Sequence, residues 1–196
     1  MLSHLRPAIV SMGLFTVLLG LGYPLAVTGV AQAAFPAQAA GSLVRDPGGK
    51  VVGSVLIGQT FAKAEYFHGR PSAAGNGYDP TASGGSNMGP LYDKLIAREK
   101  TDAAALRKEN PGATIPADAV TTSGSGLDPD ISPANARFQA PRVAKARNAP
   151  EAEVLALIDA AVAKPLLGFI GQPRVNVLAL NRAIDARFPM NNGKGG

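Results

Sequence analysis

AIVSMGLFTVLLGLGYPLAVTGVAQAA, residues Ala8 to Ala34, decides the architecture of this chain. It lies within a stretch from Pro7 to Val44 that holds no acidic, basic or histidine side chain, 38 positions in all. At about 1.5 Å of rise per helical residue, such a run is long enough to cross the roughly 30 Å hydrocarbon layer of a bilayer. A transmembrane helix over residues 8–34 is expected, preceded by a short N-terminal segment, residues 1–7. Pro24 should bend it by removing one backbone bond. Gly13, Gly20 and Gly22 are expected to form a small-residue face that another membrane helix could approach closely. The competing reading is a cleaved secretory signal, because AQA at Ala31–Ala33 has the small-x-small form of a cleavage site. The apolar run exceeds the usual signal core of about 7–15 residues, and only Arg6 and the terminal amine precede it, which favours a retained anchor. Flanking charge orients the span weakly: Arg6 stands on one side, and Arg45 and Lys50 against Asp46 on the other. A very short N-terminus is most simply left in the cytoplasm, which places the rest of the chain in the periplasm.

Working outward, 196 residues with 46% hydrophobic side chains can build one ordinary domain beyond such an anchor. The absence of cysteine excludes disulfides, thiolate zinc and a cysteine nucleophile. A net charge of +5, spread from Arg45 to Lys194 with only 6% aromatic residues, is not the dense basic stripe of a nucleic-acid binder.

Residues 35–49 read as a linker closed by the turn Asp46-Pro47-Gly48-Gly49. The domain is expected over residues 50–188 and a disordered tail over 189–196. KVVGSVLIGQ (Lys50–Gln59) reads as a strand covered on both faces. The stretch YFHGRPSAAGNGYDPTASGGSNMGP (Tyr66–Pro90) carries too many glycines and prolines for regular structure and reads as a long loop. A polar helix should follow, N-capped by Ser86 or Asn87 and ended by Pro111-Gly112. TIPADAVTTSGSG offers a second strand. Ser132 with Pro133 opens a helical run in which Pro141 forces a restart or kink. EAEVLALIDAAVAK is an ordinary core helix with apolar Val154, Leu155, Ile158, Ala161 and Val162, and RVNVL then gives a strand before a closing helix LALNRAIDARF. The fold class is one N-terminal transmembrane helix followed by a mixed α+β extracytoplasmic domain with a small sheet and several helices.

The chemistry-bearing residues are few. Outside the membrane end, His68 is the one available base, and no G-x-S-x-G or S-x-x-K supplies a nucleophile, so His68 and Arg70 are expected to tie the loop down. A metal at His68 would have only Glu65 and Asp79 nearby in sequence. Neither G-x-x-x-x-G-K-[ST] nor a post-strand G-x-G-x-x-G is present. Weaker phosphate-cradle candidates are Ser83, Gly84 and Gly85, which look like part of the ABC-transporter signature, and Ser123, Gly124, Ser125 and Gly126. Both loops serve equally well as turns and caps. The basic run Arg137, Arg142, Lys145 and Arg147 could meet an anion or form a solvated face, with Arg142 and Lys145 the cations an ATP phosphate would need.

The blocks LRPAIV, GYPL, GSVLIGQTF, YFHGRPSA, ASGGSN, SGSGLDPDIS, RVAKARN and IGQPRVNVLALN, in that order, resemble the C-subunit family (KdpC) of the Kdp potassium-transporting P-type ATPase. The resemblance covers nearly the whole chain and departs after Asn87, where MGPLYDKL stands in place of Leu-Gly-Pro-Thr-Asn-Pro, and in the short Gly-rich tail. It implies a noncatalytic, single-span subunit of the cell inner membrane. The implied partners are a potassium-pore subunit, an ATP-hydrolysing subunit and a small membrane subunit, with the lipid bilayer around them. Consistently, the chain has no Asp-Lys-Thr-Gly-Thr phosphorylation loop and no ion filter. No cofactor is expected to bind directly, K+ being handled by a partner. The family is also described as raising the ATP affinity of the hydrolysing subunit, which conflicts with a domain outside the membrane. The reading preferred here is assembly and extracytoplasmic capping of the pore subunit, with Gly13, Gly20, Gly22, His68, Arg70, Ser86 and Asn87 as partner-contact candidates. The ATP role, and a cleaved, exported binding protein, are the alternatives.

Overall fold

A computed structural model describes residues 2–190, which divide into two units, one ending at Ser54 and the other beginning at Val55. The expected disordered tail lies, from residue 191 onward, outside the described residues.

The first unit is dominated by a continuous helical span, Leu5–Ala34, built from α1 (Leu5–Val17), a π-helical turn (Leu18–Gly22) and α2 (Tyr23–Ala34). It begins at Leu5 rather than Ala8, and none of its side chains is buried by the chain itself. The expected bend at Pro24 takes a specific form. The wider π-turn lies immediately before the proline, with Tyr23 N–H donating to the Leu18 carbonyl, so the ladder is reset where Pro24 lacks a donor. The three glycines do not share one face: Gly20 and Gly22 are two residues apart in a helical segment and point to opposite sides.

Residues expected to be a linker are structured. After a single turn of helix, α3 (Pro36–Ala39), the strand β1 (Leu43–Arg45) pairs antiparallel with β2 (Val51–Ser54). The connecting turn is the Asp-Pro-Gly-Gly sequence, with Lys50 N–H donating to Asp46 Oδ1 at 2.9 Å and Gly49 at φ +81°. Lys50–Gln59 is thus not a strand covered on both faces; only Val51–Ser54 is extended, in a two-stranded hairpin with partly exposed side chains. An apolar β-branched run has the same composition in either setting, and its partner here came from the preceding segment.

In the second unit the chain runs without helix or strand until α4 (Asp93–Glu109). That helix starts six residues past the expected cap at Asn87, with Tyr92 in the cap position and no side-chain bond to it; Asn87 instead takes a left-handed conformation, φ +51°. Gly89 and Pro90 keep the intervening backbone out of the helix. The expected strand in TIPADAVTTSGSG is a short 3-10 turn, Ala117–Ala119, followed by irregular chain. Asp118 in that turn accepts from both Ser132 N–H (2.7 Å) and Ser132 Oγ–H (2.8 Å), which a strand would have pointed elsewhere.

The core is a three-stranded antiparallel sheet, ordered β3 (Asp130–Ile131), β5 (Arg174–Asn176), β4 (Val162–Ala163), packed with α5 (Pro133–Arg147), α6 (Glu151–Ala161) and α7 (Val177–Arg187). Ser132 caps α5 by accepting from Asn135 N–H at 3.0 Å, with Pro133 in the first turn. The helix continues past Pro141 without a restart. Val154 and Ile158 of α6 are fully buried, while Leu155, Ala161 and Val162 pack at the edge of the same cluster. Phe67 is the one residue of the long loop that enters this cluster, and it is completely buried.

Candidate functional site

Burying Phe67 takes the backbone of an irregular segment out of water, and its N–H and C=O groups must find partners. The structure supplies them from side chains on two helices. Asn181 of α7 accepts from Phe67 N–H at 2.7 Å and donates to the Phe67 carbonyl at 2.9 Å. Gln139 of α5 does the same for the next residue, accepting from His68 N–H at 2.8 Å and donating to the His68 carbonyl at 3.1 Å. Each carboxamide stands in for a strand edge. Arg142 donates to the carbonyls of Ala64 (2.6 Å) and Tyr66 (2.8 Å), and Arg147 to that of Glu65 (2.9 Å). The carbonyls of five successive residues, 64 to 68, are therefore each held by a side chain of α5 or α7.

The same guanidinium groups complete their own bonding around this segment. Arg142 also reaches Glu109 (2.9 Å) and Gln139 Oε1 (2.7 Å). Arg147, whose side chain is fully buried, adds the Phe188 carbonyl (3.0 Å) and Asp185 (2.7 Å) and stacks over the Tyr66 ring at 4.8 Å. The basic run is thus not a uniform solvated face. Two of its members hold the loop, Arg137 pairs with Asp159 at 2.6 Å at the surface, and Lys145 is exposed. His68 Nε2 lies 3.0 Å from the Lys63 carbonyl, and burial, followed by the Arg142 charge, holds its pKa below 6.5. The ring is neutral at pH 7 and donates from Nε2, which makes it a loop tie.

Beyond His68 the loop is fastened to residues 121–128. Arg70 donates to Asp128 (3.0 Å) and the Thr122 carbonyl (3.2 Å), and its own carbonyl accepts from the Tyr78 hydroxyl at 2.6 Å. Burial, then the Asp128 carboxylate, pushes the Tyr78 pKa up to about 12. Ser72 Oγ accepts from Tyr78 N–H (2.8 Å) and donates to the Gly126 carbonyl (2.6 Å).

The two glycine-serine loops considered as phosphate cradles meet each other. Gly84 N–H and Ser83 Oγ–H both donate to the Ser125 carbonyl, at 2.8 and 2.9 Å. Gly85 lies so close to Gly124 that an added Cβ would sit 3.1 Å from its carbonyl oxygen. At Gly126, φ +67°, a Cβ would come within 2.6 Å of Ala74 N and 2.7 Å of the Gly84 oxygen. Ser123 is buried, Ser86 half-buried and Asn87 exposed. Arg142 spends its bonds on Glu109, Gln139 and the 64–66 carbonyls rather than on these loops.

Between the loop and α4 lies an open cleft of about 450 Å³ whose walls include His68, Arg70, Ser72, Tyr78, Glu109 and Gln139. Among the described residues no group of three His, Asp or Glu side chains is placed to hold a metal ion. Around this cleft the Ser72 and Tyr78 hydroxyls and His68 Nε2 bond to backbone, and the Arg70 guanidinium bonds to Asp128 and the Thr122 carbonyl.

Sequence reasoning picked out His68, Arg70, the glycine loops and the basic run that contains Arg142 and Arg147, but missed Asn135, Gln139 and Asn181, all buried. A signal was present. Asn181 lies among Val177, Leu178, Leu180 and Ile184, and Gln139 among Ala136, Ala140 and Val143, on the buried faces of their helices. A carboxamide at an apolar position must be paired with another buried polar group.

The profile of the KdpC family, described as "K+-transporting ATPase, c chain", matches residues 5–186. The chain is 83% identical over 189 residues, 96% of each sequence, to the "Potassium-transporting ATPase KdpC subunit" of Caulobacter vibrioides. It is 77% identical over the full length of both sequences to the protein of the same description in Caulobacter sp. strain K31. At 59% identity over 192 residues, 97% of each, it is similar to that of Beijerinckia indica.

Proposed function

The chain belongs to the KdpC family, the c chains of K+-transporting ATPases, and from that premise we propose that it is the noncatalytic, assembly-directing subunit of such a complex in the inner membrane. In this reading Leu5–Ala34 spans the bilayer with its N-terminus in the cytoplasm. The α+β domain stands on the periplasmic side, where it caps the pore-forming subunit and stabilises its union with the ATP-hydrolysing subunit.

The observation that carries the proposal is the contrast between the two units. The helix buries none of its side chains within the chain, so its whole surface is offered to lipid and to other membrane helices. The domain, in contrast, spends its polar groups internally, in the clamp on residues 64–68 and in the closure of Ser83–Gly85 on Gly124–Gly126. A rigid domain on a membrane stem suits docking better than turnover.

The test is replacement of Leu5–Ala34 by an unrelated single span. Loss of the chain from the purified complex, with the other subunits then separating in detergent, is the expected result; full recovery of an intact, active complex would overturn it. Protease should reach the domain in spheroplasts. Calorimetric titration of the full chain with ATP should be flat up to millimolar concentration, equivalent to binding weaker than about 4 kcal/mol. Micromolar binding would instead favour a role in raising ATP affinity.

A further inference from the structure

The strands β4 and β5 are joined by Pro165–Pro173, PLLGFIGQP, and this turn exposes its apolar side chains. Leu166 is 67% exposed, Leu167 75%, Phe169 77% and Ile170 50%. A turn of this size in water normally carries polar residues. Its backbone is closed on itself: Leu166 and Ile170 exchange N–H···O bonds at 3.0 and 2.9 Å, Gly168 N–H donates to the Pro165 carbonyl at 3.0 Å, and Phe169 N–H to that of Leu166 at 3.3 Å. Leu167 holds φ +53° beside Gly168 at +84°, a left-handed position that a leucine rarely adopts. The chain accepts that strain and turns the Leu167 side chain outward.

We propose that this tip inserts into the headgroup and acyl boundary of the bilayer that holds the chain's own helix. Three features select lipid. Four internal backbone bonds lower the desolvation cost that bars ordinary loops from an apolar medium, and the groups they leave, such as the Leu167 N–H, can be met at the hydrated headgroup boundary. Positive charge flanks the tip on both strands, with Lys164 exposed on one side and Arg174 on the other, its side chain 59% exposed while its Nε pairs with Asp130 at 2.9 Å. Basic residues set just behind an apolar wedge complement anionic headgroups. Finally, four side chains form too small a patch for a lasting protein interface, which takes about 800 Å² from each partner. A tip tethered to the membrane by Leu5–Ala34 needs little affinity of its own, because the tether supplies the effective concentration. The inference rests on that helix being a span, and not on the assembly role proposed above.

The chain has no cysteine, so Phe169→Cys places a single environment-sensitive fluorophore on the tip, and Leu167→Cys gives a second site. The full chain is reconstituted in phosphatidylcholine vesicles, with or without phosphatidylglycerol, containing lipid that bears a nitroxide near the headgroup. Emission at both tip sites should shift to the blue and be quenched severalfold more than the same probe at the exposed α7 position Ala186→Cys. Lys164→Gln should weaken tip insertion about fivefold with phosphatidylglycerol present, as expected for one basic residue at an anionic surface, and leave it unchanged without. Equal quenching at 169 and 186 would overturn the proposal. So would shielding that requires the partner subunits and ignores the nitroxide, or shielding that scales with protein-to-lipid ratio, which would identify a protein surface or a second copy as the occupant. Insensitivity to Lys164→Gln would overturn the part played by anionic headgroups. None of these variants touches the buried core, and complex assembly is read separately.

Discussion

Asn181→Ala removes the one side chain that satisfies both backbone groups of Phe67. In the folded protein Phe67 is completely buried and Asn181 is 1% exposed, so water has no direct route to replace the carboxamide. Each backbone group left unpaired costs about 1–3 kcal/mol, and the lost atoms leave a small void in addition. Summed conservatively, the substitution should destabilise the domain by about 3–4 kcal/mol. For a domain of this size, with about 2–4 °C per kcal/mol, that is a fall in Tm of roughly 10 °C. Asn181→Asp separates the two bonds. Its carboxylate still accepts from Phe67 N–H but faces the Phe67 carbonyl with no proton to give, so the deficit should persist at neutral pH and shrink as acidification supplies the missing donor. The measurement is thermal unfolding of the full chain in detergent, followed through the near-ultraviolet signal of Tyr66 and Tyr78. An Asn181→Ala protein within about 0.5 kcal/mol of wild type would refute the view that the loop is held by surrogate strand edges. So would an aspartate variant whose deficit does not depend on pH.

The glycine loops give a paired test: Gly126→Ala, at φ +67° with backbone atoms 2.6 and 2.7 Å from the new Cβ, should cost at least about 2 kcal/mol. Gly124→Ala, which meets nothing within 4 Å, should stay near wild type, and denaturant midpoints distinguish the two. His68 provides a pH signature. Burial and Arg142 hold its folded pKa below 6.5, so the folded chain takes up the proton less readily than the unfolded one. The corresponding stability is complete above pH 6.5 and is lost as the pH falls below it, and His68→Gln should flatten that part of the stability-pH curve. In the span, Gly20→Leu and Gly22→Leu probe opposite sides of one helix, so co-purification with the partner subunits should suffer from one substitution and not from both. Equal loss, or none, would count against helix packing through a single glycine-bearing side.

The order of the sequence blocks carried the family, and composition alone carried the span. Crossing a bilayer is a one-dimensional requirement of length and apolarity, and Leu5–Ala34 meets it without reference to any other residue. The Ser132 cap, the α6 core positions and the closing strand and helix of Arg174–Arg187 were equally legible, because turns, caps and amphipathic faces are settled by residues within a few positions of one another. Such local rules misplaced the start of α4 and the partner of Val51–Ser54, where another part of the chain decided the outcome. The assembly that defines the domain was out of their reach. Gln139 is bonded to a loop 71 positions away, and Asn181 to one 114 away. The amino-acid sequence shows that a carboxamide on a buried helix face must have a partner and that a glycine-rich loop must be tied down. Only the tertiary structure could match the two, since which carbonyl meets which side chain depends on how α5 and α7 pack around Phe67.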